Sequence, residues 1–267
     1  IVNNVANSQW TFTGGINIST TVVDGGDGNA TISNNQTGKI LIPGLLALTN
    51  GNFATLIENV SSGTLTVSGG VQFTPNTSLV PTIIIKNSGN NGVLNIGGNN
   101  TTKLNSVQSI GNNTANNISG GSLTISSVSS TGDNVNLNIN CSAINIQTNV
   151  SISGTGSTIG FSSNGAISIG GNLSNTGTNI VINIGSTVLS TLVGNMTLGA
   201  NSGTLNLTGR MSVGGVLSNG TDSNIKLGGF NLELTGNVLV HTNNGSITAT
   251  GGGILNFNTS GALVNWN

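Results

Sequence analysis

The chain predicts an all-β protein built as a β-solenoid, and two observations carry that reading: a degenerate repeat and a composition suited to short strands and tight turns. The repeat is plainest at the C-terminal end. Three successive pieces read GTLNLTGRMSVGGVLSNGTD, SNIKLGGFNLELTGNVLVHTNN and GSITATGGGILNFNTSGALVNWN. Each opens with apolar-polar-apolar triplets (Leu205-Asn206-Leu207, Ile225-Lys226-Leu227, Ile247-Thr248-Ala249) and passes through glycine into further short apolar runs, such as Met211-Ser212-Val213 and Leu232-Glu233-Leu234. Alternation with period two means strands with one buried face. A unit of 20 to 23 residues holding two or three such strands cannot bury its apolar face alone, and stacking on its neighbours completes the core.

Composition points the same way. Asn makes up about a sixth of the chain and there are 42 glycines, while aromatics are 3% and charged residues 4%. Regularly recurring Val, Ile and Leu separate this chain from disordered, polar low-complexity sequences. Gly and Asn supply the positive φ that tight turns require. Helix formers are scarce, so almost no helix is expected.

Taken in order, residues 1–60 are the least regular and are expected to form irregular N-terminal coils or a cap. Val22-Val23 leads into the turn cluster Asp24 to Asn29. Strands are expected at Ala30-Thr31-Ile32, Ile40-Leu41-Ile42, Leu45 to Leu48 and Phe53 to Ile57. Pro43, Pro75 and Pro81 all lie in the first third, where they suit strand ends and edges. Residues 61–267 are expected to form regular solenoid coils continuous with the first part. GTLTVSGG at Gly63, GVLNIGGN at Gly92 and GSLTISSV at Gly121 recur at a spacing of 29. Further on, Leu137, Ile159, Ile182, Leu205, Ile225 and Ile247 follow at steps of 22, 23, 23, 20 and 22. They are expected to stack into one interior column, with Asn, Thr and Ser between them pointing outward. Coils of about 20 to 29 residues result. Trp10 and Trp266 lie near the two ends and suit caps.

Several function classes are disfavoured. A net charge of -1 with five scattered basic residues lacks the basic stripe that nucleic acid requires. No apolar run approaches the 18 residues of a membrane-spanning helix; the longest, Ile40 to Leu48, is broken by Pro43 and Gly44. Cys141 is alone, so no intrachain disulfide forms, and it reads as a small buried residue. The start, IVNNVANSQW, carries no leader pattern, as expected of a mature protein or a segment. The uncharged, amide-rich surface suits a secreted protein.

The carboxylates are Asp24, Asp27, Glu58, Asp133, Asp222 and Glu233. Polysaccharide-cleaving β-helices bring two or three together, and only Asp24 and Asp27 are near in sequence. Gly25 to Ala30 half-matches the calcium-binding nonapeptide GGxGxDxUx, with Ala30 where a ligand Asp is needed. Asp24 and Asp27 are thus the candidate metal ligands, with a plain turn role as the alternative. Asp222 and His241 read as turn residues, and Glu233 as outward-facing between Leu232 and Leu234. No catalytic motif and no cofactor-binding motif is present. Asn-x-Ser/Thr occurs at Asn17, Asn29, Asn59, Asn172, Asn206 and Asn258, at a frequency the composition explains by chance.

The phrases GTLTVSGG, GTLNLTGRMSVGG and SISGTGSTIG resemble the passenger domains of bacterial type V autotransporters, closest in style to rickettsial surface antigens of the outer-membrane-protein-B kind. The resemblance covers roughly residues 60–267. It implies a right-handed parallel β-helix at the bacterial surface, acting as an adhesin or coat without enzymatic activity. It also implies partners among host surface proteins, glycans or further copies of the chain. Phe73-Thr74-Pro75-Asn76 and Phe161-Ser162-Ser163-Asn164 resemble the FxxN units of chlamydial polymorphic membrane proteins, without their GGAI companion. Alternatives are an extracellular filament subunit and a polysaccharide-binding or -cleaving β-helix of tailspike type.

Overall fold

The computed structural model describes residues 1–14, 16–19, 30–49, 55–74, 83–98, 103–199, 202–236, 238–241, 244–257 and 263–266. Asp24, Asp27, Phe53, Pro75 and Pro81 lie outside the described residues. Every strand pairing is parallel, and no helix occurs among the described residues. Each circuit of the chain contributes up to three strands, and each strand hydrogen-bonds to its equivalents one circuit before and one after, forming a β-solenoid.

Three faces result. The first runs from Val2–Asn3 through Ala30–Asn34, Thr55–Asn59 and Ile83–Asn87 to Leu263–Trp266. The second runs from Gln9–Thr11 through Lys39–Ile42 and Thr64–Val67 to Ser246–Thr248. The third begins as a separate three-stranded sheet, Ile16–Ser19, Leu46–Thr49 and Val71–Thr74. It is represented later by Ile167–Ile169, Ser190–Leu192 and Met211–Val213. The long strand Ala115–Ser130 wraps all three, pairing in turn on the second, third and first face.

The interior is a set of aliphatic columns. Leu137, Ile159, Ile182, Leu205, Ile225 and Ile247 are register partners in that order. The first five are 0% exposed. Ile247 packs partly buried against them. The column continues the other way through Asn116, Leu94, Leu65 and Ile40 to Trp10. Each fully buried aliphatic contributes about 1.5–3 kcal/mol of transfer free energy.

One corner has a fixed conformation. Except before Lys39–Ile42 and Thr64–Val67, the residue two positions before a second-face strand has positive φ: Asn7, Asn91, Asn113, Asn134, Gly156, Asn179, Ser202, Asp222 and Asn244, with φ between 52° and 67°. Asn and Asp tolerate this left-handed region at low cost, which accounts for part of the asparagine content. Asp222 is therefore a turn residue, as expected.

Two sequence readings need correction. The spacing of 29 holds between Gly63 and Gly92, since Thr64 pairs with Val93. It fails at Gly121. Val93 to Ile96 pair instead with Ala115 to Ile118, a step of 22, while Leu123 and Ile125 belong to the third face. Register steps span 31 (Val2 to Ser33) to 20 (Leu205 to Ile225), so the first coils exceed the expected upper length.

Not all asparagines point outward. A column of polar residues ends the first-face strands: Asn3, Asn34, Asn59 and Asn87, each 0% exposed. Asn3 Nδ2 donates to Asn34 Oδ1 at 3.1 Å, Asn34 Nδ2 to Asn59 Oδ1 at 3.1 Å, and Asn59 Nδ2 to Asn87 Oδ1 at 3.4 Å. Each of the last three also caps the following turn, donating to the carbonyls of Gly38 (2.9 Å), Gly63 (2.9 Å) and Gly92 (3.1 Å). The column continues with Ser109, whose side chain is too short to repeat the contact. Asn116 of the second face takes its place, accepting from Asn87 Nδ2 at 2.8 Å and donating to Ser109 Oγ at 2.8 Å. This explains the one amide in an otherwise apolar column.

Candidate binding face

Beside a mixed row that runs through Thr64, Val93, Asn136, Val181 and Thr204, the second face turns two largely polar rows of side chains outward. One row, in register order, is Thr66, Asn95, Asn117, Asn138, Gly160, Asn183, Asn206, Lys226 and Thr248. Strand spacing of about 4.8 Å puts adjacent carboxamides within hydrogen-bond reach. Asn95 donates to Thr66 Oγ1 at 3.3 Å, Asn117 to Asn95 Oδ1 at 2.9 Å and Asn138 to Asn117 Oδ1 at 3.4 Å. The row breaks at Gly160 and resumes with Asn206 donating to Asn183 Oδ1 at 2.8 Å. The second row runs Ser119, Asn140, Ser162 and Gly185. Thr208 follows: its Oγ1 lies 2.2 Å from where a Gly185 β-carbon would be.

The glycines at neighbouring levels leave hollows. One of about 260 Å³ is bordered by Asn138, Asn140, Gly160, Ser162 and Asn183. It adjoins one of about 380 Å³ bordered by Asn164, Ser186, Thr187 and Phe230; the two share Ser162, Gly185 and Thr208. A third hollow of about 260 Å³ lies lower on the same face, between Thr66, Asn95, Asn117 and Ser119. None of the described residues bordering the three hollows is charged. The larger hollow is braced between coils, because Ser186 Oγ donates to the Gly165 carbonyl and Thr187 Oγ1 to that of Asn164. At its edge Phe230 is 39% exposed.

Three of the described carboxylates are held by separate partners. Glu58 accepts from Ser33 Oγ at 3.2 Å and pairs with Lys86 at 3.8 Å. Glu233 pairs with Arg210 of the preceding coil at 2.7 Å. Asp133 Oδ1 accepts from the Thr155 amide at 2.8 Å. Both ion pairs are solvent-accessible and contribute at most about 1 kcal/mol each. Among the described residues no three His, Cys, Asp or Glu side chains gather where they could hold a metal.

His241 is not the turn residue that the sequence suggests. It ends the strand Val238–His241, is 6% exposed and lies in register on Asn219. Its Nε2 contacts the Gly245 carbonyl at 3.0 Å and its Nδ1 lies 3.1 Å from Asn219 Nδ2. Those partners assign the proton to Nε2, with Nδ1 accepting. His241 thus caps its turn as Asn34 and Asn59 cap theirs. Cys141 is buried as expected, and burial pushes its thiol up to about 11, which keeps it protonated at neutral pH. Asn59, one of the Asn-x-Ser sites, is fully buried and offers no amide for glycosylation.

Gly160, Gly185 and Phe230 are the features that sequence reading passed over. The signal was available: Gly160 and Gly185 stand where the outward alternation of their coils calls for Asn or Ser, and Phe230 is an exposed ring in a chain with 3% aromatics. Compared with known protein families, curated proteins and solved structures, the chain matches none of them.

Proposed function

We propose that the protein is a non-enzymatic surface module, an adhesin or coat segment displayed at a bacterial surface, that engages its partner along the outward rows of the second face. The observation that carries this reading is the uncharged row from Thr66 to Asn206, hydrogen-bonded between neighbouring coils on either side of Gly160 and fixed by the stacked interior. Such a row is pre-organised, so contact with another surface requires little further ordering of side chains. Its neutrality removes long-range steering, and selectivity then rests on short-range hydrogen bonding and shape. The resemblance to autotransporter passenger repeats agrees with display at a cell surface.

The test uses the purified chain, labelled and offered to cultured epithelial cells, with sedimentation measured in parallel. Saturable cell binding or concentration-dependent self-association is expected, and either should weaken when Asn117 and Asn206 are both changed to Asp. Each new carboxylate would face the amide oxygen, of Asn95 or Asn183, to which the lost Nδ2 donated, and it would desolvate badly in any contact. A rod that neither binds cells nor self-associates at micromolar concentration overturns the proposal.

A further inference from the structure

We propose that the paired hollows around Gly185 form a binding site for a neutral saccharide. This inference rests on the reading above, that the second face is the binding surface, and it names the ligand class for one part of it.

Shape comes first. Two rows of outward side chains are each interrupted by a glycine, at Gly160 and Gly185, on adjoining coils, where Gly160 pairs with Asn183 and Ser162 with Gly185. The result is two connected hollows of about 260 and 380 Å³. Together they approach the scale of small-molecule sites.

Chemistry narrows the ligand. No charged residue among the described ones borders either hollow, and an ionised ligand would lose hydration there without gaining an opposite charge. A nucleic acid or an acidic lipid headgroup is disfavoured on that ground. The border carries carboxamides, each both donor and acceptor, from Asn138, Asn140 and Asn183, with hydroxyls from Ser162 and Thr208. Groups that donate and accept in turn match a row of ligand hydroxyls, which do the same. Phe230 adds the third element. Its exposed ring borders the larger hollow beside Thr208, and an aromatic face next to hydroxyl partners suits the C–H face of a pyranose. A purely apolar ligand would leave the amides unmatched; a ligand with no apolar face would leave the ring unused.

The experiment is a titration of the isotope-labelled full chain, followed by amide NMR, with lactose, cellotetraose and chitotetraose up to about 10 mM, the range of weak sites. A sulfated tetrasaccharide serves as the charged comparison. Shifts are expected at Asn138, Gly160, Ser162, Gly185, Thr208 and Phe230 with at least one neutral sugar. Phe230→Ala should weaken binding about three- to tenfold. Thr208→Val, which keeps the side-chain shape, should weaken it as well. Unchanged dispersion of the remaining amides shows that each variant is folded. The inference is overturned if no neutral sugar perturbs these residues, if only the sulfated sugar does, or if both variants bind as well as the parent. A chain that attaches to cells while ignoring every neutral sugar refutes the saccharide site and leaves the surface-module reading intact. A chain that takes up sugar at these residues but attaches to nothing does the reverse.

Discussion

Replacing Asn59 by alanine tests whether the buried amide column stabilises the rod, and Asn175 supplies an internal comparison. Both residues are 0% exposed and both occupy the same register column at the end of a first-face strand. They differ in their neighbours. Asn59 lies between Asn34 and Asn87 and makes three side-chain hydrogen bonds: to the Gly63 carbonyl (2.9 Å), to Asn87 Oδ1 (3.4 Å) and from Asn34 Nδ2 (3.1 Å). Asn175 lies between Ile152 and Leu198. Its Oδ1 accepts from the Gly177 amide at 3.0 Å, and its Nδ2 has no hydrogen-bond partner among the described residues. At about 1 kcal/mol net per bond, Asn59→Ala costs about 3 kcal/mol. In Asn175→Ala the loss of one bond is offset by release of a desolvated, unpartnered N–H, so the change is near zero. Contacts in a solenoid are made chiefly between adjacent coils, and a single global transition is not guaranteed. Native-state hydrogen exchange is therefore the better assay. It is read at the Thr64 and Val93 amides, bonded to the Gly38 and Gly63 carbonyls, and at Thr204, bonded to Ile180. Equal losses for the two variants, within about 0.5 kcal/mol, would refute the claim that neighbouring amides carry the stabilisation.

Four further outcomes are expected. Ser190 stands inward between Ile167 and Met211, with a buried hydroxyl lacking a partner among the described residues; Ser190→Ala should raise stability by about 1 kcal/mol, measured as the urea midpoint. Ser202 is the one positive-φ residue at that corner, among those described, that is neither Asn, Asp nor Gly; Ser202→Asn should raise the melting temperature, corresponding to about 0.5–1 kcal/mol. Gly120 has φ of +127°, and a β-carbon there would fall 1.5 Å from the Gly98 carbonyl oxygen; Gly120→Ala should cost at least about 3 kcal/mol, seen as loss of soluble folded protein or a large fall in midpoint. The Cys141 thiol is raised to about 11, so its contribution is intact below the ordinary thiol range and lost as pH climbs toward 11. Unfolding midpoints measured from pH 8 upward should fall more for the parent than for Cys141→Ala.

The sequence-level reading recovers the fold where the pattern is physically redundant. From Leu137 to Ile247 every coil places an aliphatic side chain at the same level, and spacing alone aligns them. The failure at Gly121 has a definite cause. GSLTIS and GVLNIG share one alternation, yet one lies on the third face and the other on the second, and period-two patterning says which side of a strand is buried but not which wall of the solenoid the strand joins. The true partner, Ala115 to Ile118, was concealed because Asn116 occupies a leucine level. Reading asparagine as outward-facing holds beside the Leu137 to Ile247 column and does not extend to the ends of the first-face strands: burial of an amide depends on whether its neighbours return its hydrogen bonds, which one strand does not reveal. A usable cue existed, since Asn34, Asn59 and Asn87 each close an apolar strand four or five residues ahead of a glycine. The outward rows were legible from alternation; the hollows were not, because they arise from glycines on two different circuits.

The unequal length of the circuits has a practical consequence. Ten residues separate Ile16–Ser19 from the next described strand at Ala30, eight separate Val71–Thr74 from the one at Ile83, and only three separate Ile167–Ile169 from Leu173, yet the first-face strands stay in register from coil to coil. Added chain at that junction is charged mainly as ring-closure entropy, about 0.6 kcal/mol for each doubling. The molecule is in this sense a chassis with one permissive seam. Foreign peptides spliced in after Leu48-Thr49, or after Phe73-Thr74, should be presented at chosen heights along its length while the interior needs no redesign.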